Sequence, residues 1–277
     1  MKKSSKWYAM QKKTLKRKIK QEYPTTAHEA FLASGRKIFD AKTINYRLAE
    51  IKQNQKDGRW QTPQVAGDWT YFDKYKPNHA YALGADVAEG VGLDSSTCVI
   101  IDFTAKTPIV VARYANKWIA PDVFAYEIVA GAKAYGNPLV AVERNNIGHT
   151  TVTTLKEIYP NLFFETINDR LLNKETDRLG FLTTRSSKPR ILFGFRNAME
   201  EGDIEIPDRV ILREAQRFDH KDLSVLKLAQ DEEEASRHFD VLMAACIAYE
   251  MKDYVGFGGT KPSLTEPQLV NPHRTLQ

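Results

Sequence analysis

The chain has 277 residues, 42% of them hydrophobic and 10% aromatic, enough to bury one substantial core in one domain with appendages. No apolar stretch reaches membrane-spanning length, and Met1-Lys2-Lys3-Ser4 leads into polar sequence rather than a signal-peptide core, so a place inside the cell is expected. The net charge of +5 does not by itself indicate nucleic acid. Nine Lys or Arg and no acid lie in residues 1–20, leaving the other 257 residues at −4, so such a partner has to be argued from a site.

Residues 1–20 read as a basic leader with a thin apolar stripe. Glu22 to Leu32 reads as an extended lead-in, a Thr cap and a short helix stopped near Gly35. Asp40 to Gln55 is a further helix with Ile44, Leu48 and Ile51 on one face. Lys56-Asp57-Gly58-Arg59 is a turn, and Trp60 to Phe72, mixing aromatic and polar residues, suits a short antiparallel ribbon. The apolar run Tyr81 to Asp86 then predicts a buried strand that ends on a carboxylate. A glycine-rich turn, Glu89 to Ser96, follows, then strands over Thr97 to Phe103 and Ile109 to Trp118; loops this short join antiparallel neighbours.

Pro121 to Tyr135 reads as a helix with Pro at its start and Gly136-Asn137-Pro138 as its stop. Leu139 to Val142 is too short for a helix and too apolar for an edge, so it predicts a central strand reached by a crossover and parallel to Tyr81–Asp86. Asn146 to Tyr159 is the next helix and Leu162 to Glu165 a further strand. Past a polar stretch, 168–178, helices are expected from Ser187 to Glu201, capped by Gly202, and from Asp208 to Phe218, with a short extended Ile204-Glu205-Ile206 between them. Asp219 to Ala229 alternates enough to be a small hairpin. Ser236 to Met251 is apolar nearly all round and should be a buried helix, and 256–277 reads as a tail. Cys98 and Cys246 sit among apolar neighbours as small core residues.

This order predicts an α/β, ribonuclease-H-like mixed sheet: three antiparallel strands, then parallel strands, flanked by helices. In that topology Asp86 and Glu143 end neighbouring strands, and Asp240, at the start of the last helix, can join them. Each has a duller reading, as a turn residue, a strand end or a helix-dipole partner, but Glu143 after four apolar residues is costly without a partner. Oxygen ligands without thiolates or clustered histidines select Mg²⁺ or Mn²⁺. Two ions about 4 Å apart suit phosphodiester hydrolysis.

Several stretches together resemble the C-terminal nuclease domain of the large terminase subunit of tailed phages. They are Glu22-Tyr23-Pro24-Thr25-Thr26 with Ala30 to Gly35, Gly84-Ala85-Asp86-Val87-Ala88-Glu89-Gly90 with Asp94-Ser95-Ser96, Glu143-Arg144-Asn145-Asn146-Ile147-Gly148, Gly180-Phe181 with Thr183 to Pro189, and His238-Phe239-Asp240. The resemblance implies metal ligation by Asp86, Glu143 and Asp240, with His238, Asp94 and Asn145 as auxiliaries, and Phe239 departs from the acid that often precedes the final Asp. It divides the chain into a basic leader (1–20), an exit segment from an ATPase domain (21–75), the nuclease domain (76–253) and a tail (254–277). It implies an endonuclease acting on double-stranded DNA with little sequence preference, with the partners of that motor: the terminase ATPase domain, the portal and the small terminase subunit, in the cytoplasm of an infected bacterium. The isolated domain is expected to be a monomer. No G-x-x-x-x-G-K-[ST] loop occurs in these residues, so the resemblance is to the nuclease without its motor.

Expected DNA contacts are Arg185, Lys188 and Arg190 at a helix start, where backbone N–H groups and positive side chains suit a phosphate. The resemblance further implies that the hairpin before the last acidic motif brings Lys221, Asp222 and Lys227 close to the DNA. Asn145 is expected to brace the loop after Glu143. A junction resolvase or transposase of the same fold, and a non-catalytic DNA-binding or assembly module, are the competing readings.

Overall fold

The computed structural model describes residues 37–145, 147–169, 174–223 and 238–255. In chain order these form α1 (Ala41–Lys56), β1 (Gln64–Ala66), β2 (Trp69–Tyr71), β3 (Tyr81–Asp86), β4 (Ser96–Asp102), β5 (Ile109–Asn116), α2 (Pro121–Ala134), β6 (Leu139–Val142), α3 (Gly148–Ile158), β7 (Phe164–Asp169), β8 (Lys174–Leu179), α4 (Ser187–Glu201), α5 (Arg209–Arg217) and α6 (Asp240–Glu250). Short 3-10 turns cover His220–Leu223 and Met251–Asp253. The leader, most of the lead-in and the tail lie outside the described residues.

Six strands form one mixed sheet in the order β1-β2-β5-β4-β3-β6. β3, β4 and β5 are antiparallel neighbours, and β6 lies parallel to β3, as the short turns and the long crossover through α2 require. Beyond β6 the sheet continues as a broken strand. Leu162 and Phe181 bridge to β6 in parallel fashion, and Gly180 N donates to Phe163 O at 2.9 Å, so 162–163 and 180–181 run nearly end to end. The β7–β8 hairpin is an excursion from that break. Sequence placed only its first residues in a strand, because the hairpin is polar and lacks the alternation of a half-buried element.

Side chains alternate between two apolar layers. Ala82, Val99, Ile101 and Ala141 face α1, α4, α5 and α6, whereas Leu83, Ala85, Cys98, Ile100 and Val142 face α2 and α3. α6 is buried from Val241 to Tyr249, as its all-round apolar sequence predicts. It lies directly on β3: a Cβ on Gly84 would stand 2.2 Å from the Ala248 nitrogen and 2.5 Å from the Ala244 oxygen, so only glycine permits the approach. Residues 37–75, assigned by sequence to an exit segment, show no boundary in the packing. Ile38, Phe39, Ile44, Ile51, Trp60 and Phe72 belong to the core on the α6 side, and β2 pairs with β5.

The element starts follow from local chemistry. Asp40 caps α1 by accepting from Thr43 N at 2.9 Å, Pro121 opens α2, and Asp208 caps α5 by accepting from Val210 N at 2.8 Å. The hairpin expected over Asp219–Ala229 is not formed in its described part. Instead Asp222 Oδ2 accepts from Asp219 N at 2.8 Å and closes a 3-10 turn; residues 224–229 lie outside the described residues.

Candidate metal centre

The register of β3 against β6 brings two acids together. Ala85 is opposite Val142 in parallel pairing, and Glu143 N donates to Ala85 O at 2.9 Å, so the next residues on each strand, Asp86 and Glu143, are neighbours at the same sheet edge. Their carboxyl groups are close enough to act on one another. Burial pushes the Asp86 carboxyl well above the ordinary carboxylate range, and Glu143, Asp240 and Asp94 add to the shift in that order. Glu143 is buried to 7% exposure, while Asp86 keeps part of its surface in the cleft.

Asp240 arrives from the other side. Because α6 rests on Gly84, its first residue reaches the same edge, where Asp240 Oδ2 accepts from Ser95 N at 2.7 Å and Thr97 Oγ1 donates to the Asp240 carbonyl at 2.9 Å. Asp240 is the first helical residue and its N-cap is Phe239; Ser236, where the helix was expected to start, lies outside the described residues. Asp94, His238 and Asp240 each offer a ligand atom within 4.8 Å of the others, and His238 Nδ1 pairs with Asp94 Oδ1. A cleft of about 320 Å³ opens between these groups, lined by Asp86, Glu89, Asp94, Asp240 and the apolar Val91, Leu93 and Ile147. None of the described residues that line the cleft is basic. Clustered carboxylates with one imidazole beside them form a donor set suited to a hard divalent cation.

One contributor has no sequence signal beyond its position. Glu214 sits on the apolar face of α5 between Ile211 and Ala215, is 7% exposed, and accepts from Leu242 N at 2.8 Å, holding the first turn of α6. Burial raises its pKa to about 8, with Asp240 adding to the rise and the Leu242 N–H opposing it. Ser95 and Thr97, which orient Asp240, were likewise not singled out as ligands' supports.

The other expected residues are placed unevenly. Asn145 is exposed, and its carbonyl accepts from His149 N at 3.1 Å, tying the loop after Glu143 to α3. The strand through Phe181 runs parallel to β6, so the segment that follows it, with the exposed Arg185, leaves from the carboxylate edge. Lys188 Nζ bonds the Asp222 carbonyl at 2.8 Å, and Arg190 pairs with Glu250. The N–H groups expected to meet a phosphate at the start of α4 are engaged internally: Thr184 Oγ1 accepts from Ser186 N and Ser187 N, and Thr184 O from Lys188 N. Lys221 lies in the His220–Leu223 turn, and Lys227 lies outside the described residues.

No family model matches the chain, and no curated protein does. Among solved structures, the fold is that of the large terminase nuclease from thermophilic phage G20c. The magnesium-bound form is similar at a TM-score of 0.51 with 16% identity over 68% of this chain and 89% of that one. The zinc-bound form gives a TM-score of 0.50 with 18% identity, and a further crystal structure 0.50 with 17%, each over 68% of this chain and 90% of that one.

Proposed function

We propose that the chain is a divalent-metal-dependent endonuclease that hydrolyses phosphodiester bonds in double-stranded DNA, the nuclease part of a viral DNA-packaging terminase. The observation that carries this reading is the meeting of Asp86, Glu143 and Asp240 at one sheet edge, on the fold of a large terminase nuclease. The phage G20c nuclease is known with magnesium bound and with zinc bound, and the oxygen-rich donor set here fits Mg²⁺ or Mn²⁺.

Asp86, Glu143 and Asp240 would hold the metal, and Asp94 and His238, grouped with Asp240, would extend the site to a second ion. Bound there, divalent ions would activate a water and stabilise the leaving oxygen of an in-line displacement. The chain's own residues prepare that chemistry. Ser95 N and Thr97 Oγ1 fix Asp240 at both its carboxylate and its carbonyl. Asp94 engages His238 Nδ1, so Nε2 is the nitrogen that would be left to meet an ion or water. Glu214 holds the helix turn on which Asp240 sits. Arg185 is the residue best placed for a phosphate, because it leaves the same edge as Glu143, whereas Lys188 and Arg190 already serve neighbours inside the protein. Contacts of this kind read backbone and shape rather than bases, so cleavage has little sequence preference. The ATPase domain, portal and small subunit are the partners this role brings, in the infected cell's cytoplasm. Among the described residues no helix is long and apolar enough to cross a membrane.

The test is conversion of supercoiled plasmid to nicked and linear forms by the wild-type chain and Asp86→Asn, in Mn²⁺, in Mg²⁺ and in EDTA. Metal-dependent cleavage that the folded variant lacks supports the reading. Cleavage that survives in EDTA or in the variant rejects it.

A further inference from the structure

Trp118 is the most exposed large apolar side chain among the described residues, at 74%, in a chain whose Trp60 and Trp69 are buried. It is nevertheless held in place. Trp118 N donates to Asn116 Oδ1 at 2.6 Å, and Gly92 N donates to the Lys117 carbonyl at 2.9 Å. The benzo end of the indole lies against the loop after β3: a Cβ on Gly92, whose φ is +89°, would stand 2.2 Å from the ring. On either side of that glycine, Val91 and Leu93 are 57% and 67% exposed, and both line the carboxylate cleft. Three large apolar side chains thus form a ledge continuous with the candidate metal centre, and exposed patches of this kind mark interaction sites. Lys117, next to Trp118, is exposed.

We propose that this ledge is a nucleic-acid subsite, with Trp118 stacking on a base or sugar of the bound strand while Lys117 meets a phosphate. The inference rests on the nuclease reading. A strand whose scissile phosphate lies among Asp86, Asp94 and Asp240 must lay its neighbouring nucleotides along the cleft wall, and the Trp118 side of that wall is apolar with a cation beside it. That pairing of an aromatic platform with a positive charge is what sequence-tolerant strand binding uses, whereas an uncharged apolar ledge would suit a protein surface better.

The test uses the full chain in a Trp7→Phe background, since Trp7 lies outside the described residues. Emission is followed with a 12-nucleotide single strand and with a 12-base-pair duplex, Ca²⁺ replacing the catalytic metal. Cleavage kinetics in Mn²⁺ are measured separately. Stacking predicts quenching that is lost in Trp118→Phe, whose own ring keeps most of the affinity. Trp118→Ala is expected to bind about 5- to 100-fold more weakly, with KM rising by the same factor and kcat within about threefold of wild type. Unchanged melting of both variants secures the fold. A wild type that cleaves, with Trp118→Ala showing the same KM and affinity, overturns the ledge alone and leaves the nuclease standing. A wild type that neither binds nor cleaves overturns both.

Discussion

At the end of β4 away from the cleft, the fully buried Asp102 is met by His79 Nδ1 at 2.7 Å and by Thr104 N at 2.9 Å. Asp208, also buried, is met by Arg113 Nε at 2.6 Å and Val210 N at 2.8 Å. At the cleft end of the same strands, Asp86 is met by Glu143, with Asp240 and Asp94 near it. Both regions bury carboxylates, but Asp102 and Asp208 each sit against donors, whereas Asp86 sits beside Glu143, with Asp240, held by Ser95 N, and Asp94, paired with His238, close by. Burial raises the Asp208 carboxyl and Arg113 pulls it back, whereas every contribution acting on Asp86 raises it. Acids that serve the fold come with partners inside the chain. The cleft acids, which raise the Asp86 pKa together, are brought near one another by the sheet register and by α6, and the metal proposal rests on that arrangement.

That contrast can be broken by exchanging its terms. The largest effect is expected for Glu143→Gln, which keeps the volume and removes a ligand. Plasmid cleavage should fall by about a thousandfold or more, some 4 kcal/mol of transition-state stabilisation, while circular dichroism and the melting temperature stay close to wild type. Arg113→Met should do the reverse. It strands Asp208 without its cation and should cost about 3–5 kcal/mol of stability, read as a lower urea midpoint with unchanged m, while cleavage per folded molecule is retained.

A smaller effect sharpens the comparison at Glu214, which sits between the two classes: one N–H partner, and Asp240 close by. Its folded pKa of about 8 lies above the ordinary value of 4.5, so the folded state holds the proton more tightly than the unfolded chain. Its contribution is therefore most favourable below about pH 4.5 and is lost as pH rises toward 8. Glu214→Gln still offers an oxygen to Leu242 N and removes the titration. The difference in stability between variant and wild type should grow with pH across that window, by up to about 1.4 kcal/mol per pH unit, measured by urea unfolding at several pH values.

Much of this was legible in the chain. The runs Tyr81–Asp86 and Leu139–Val142, with the crossover between them, predicted the parallel pairing that sets Asp86 beside Glu143, and the all-round apolar pattern predicted the burial of α6. The features that sequence did not carry are those fixed by contact between distant segments. The β7–β8 hairpin is mostly polar along both strands and so has no apolar period to read. Thr184 occupies the N–H groups at the start of α4, and Lys188 and Arg190 find partners in Asp222 and Glu250, which no local pattern announces. Glu214 looks like any polar residue on a short amphipathic helix, until the first turn of α6 is seen to end on it.

A cleft built for a divalent cation should show itself in thermal unfolding of wild type and Asp86→Asn at pH 8, in EDTA and in saturating Mn²⁺. Asn carries no charge, and the raised pKa of Asp86 works against folding above the ordinary carboxylate range. Asp86→Asn is expected to melt at or above the wild-type temperature in EDTA. Mn²⁺ at about 100 times its dissociation constant is expected to stabilise wild type by about 2.7 kcal/mol and the variant far less. A variant that melts well below wild type in EDTA, as loss of a paired structural acid would cause, or a wild type indifferent to Mn²⁺, would contradict the metal reading.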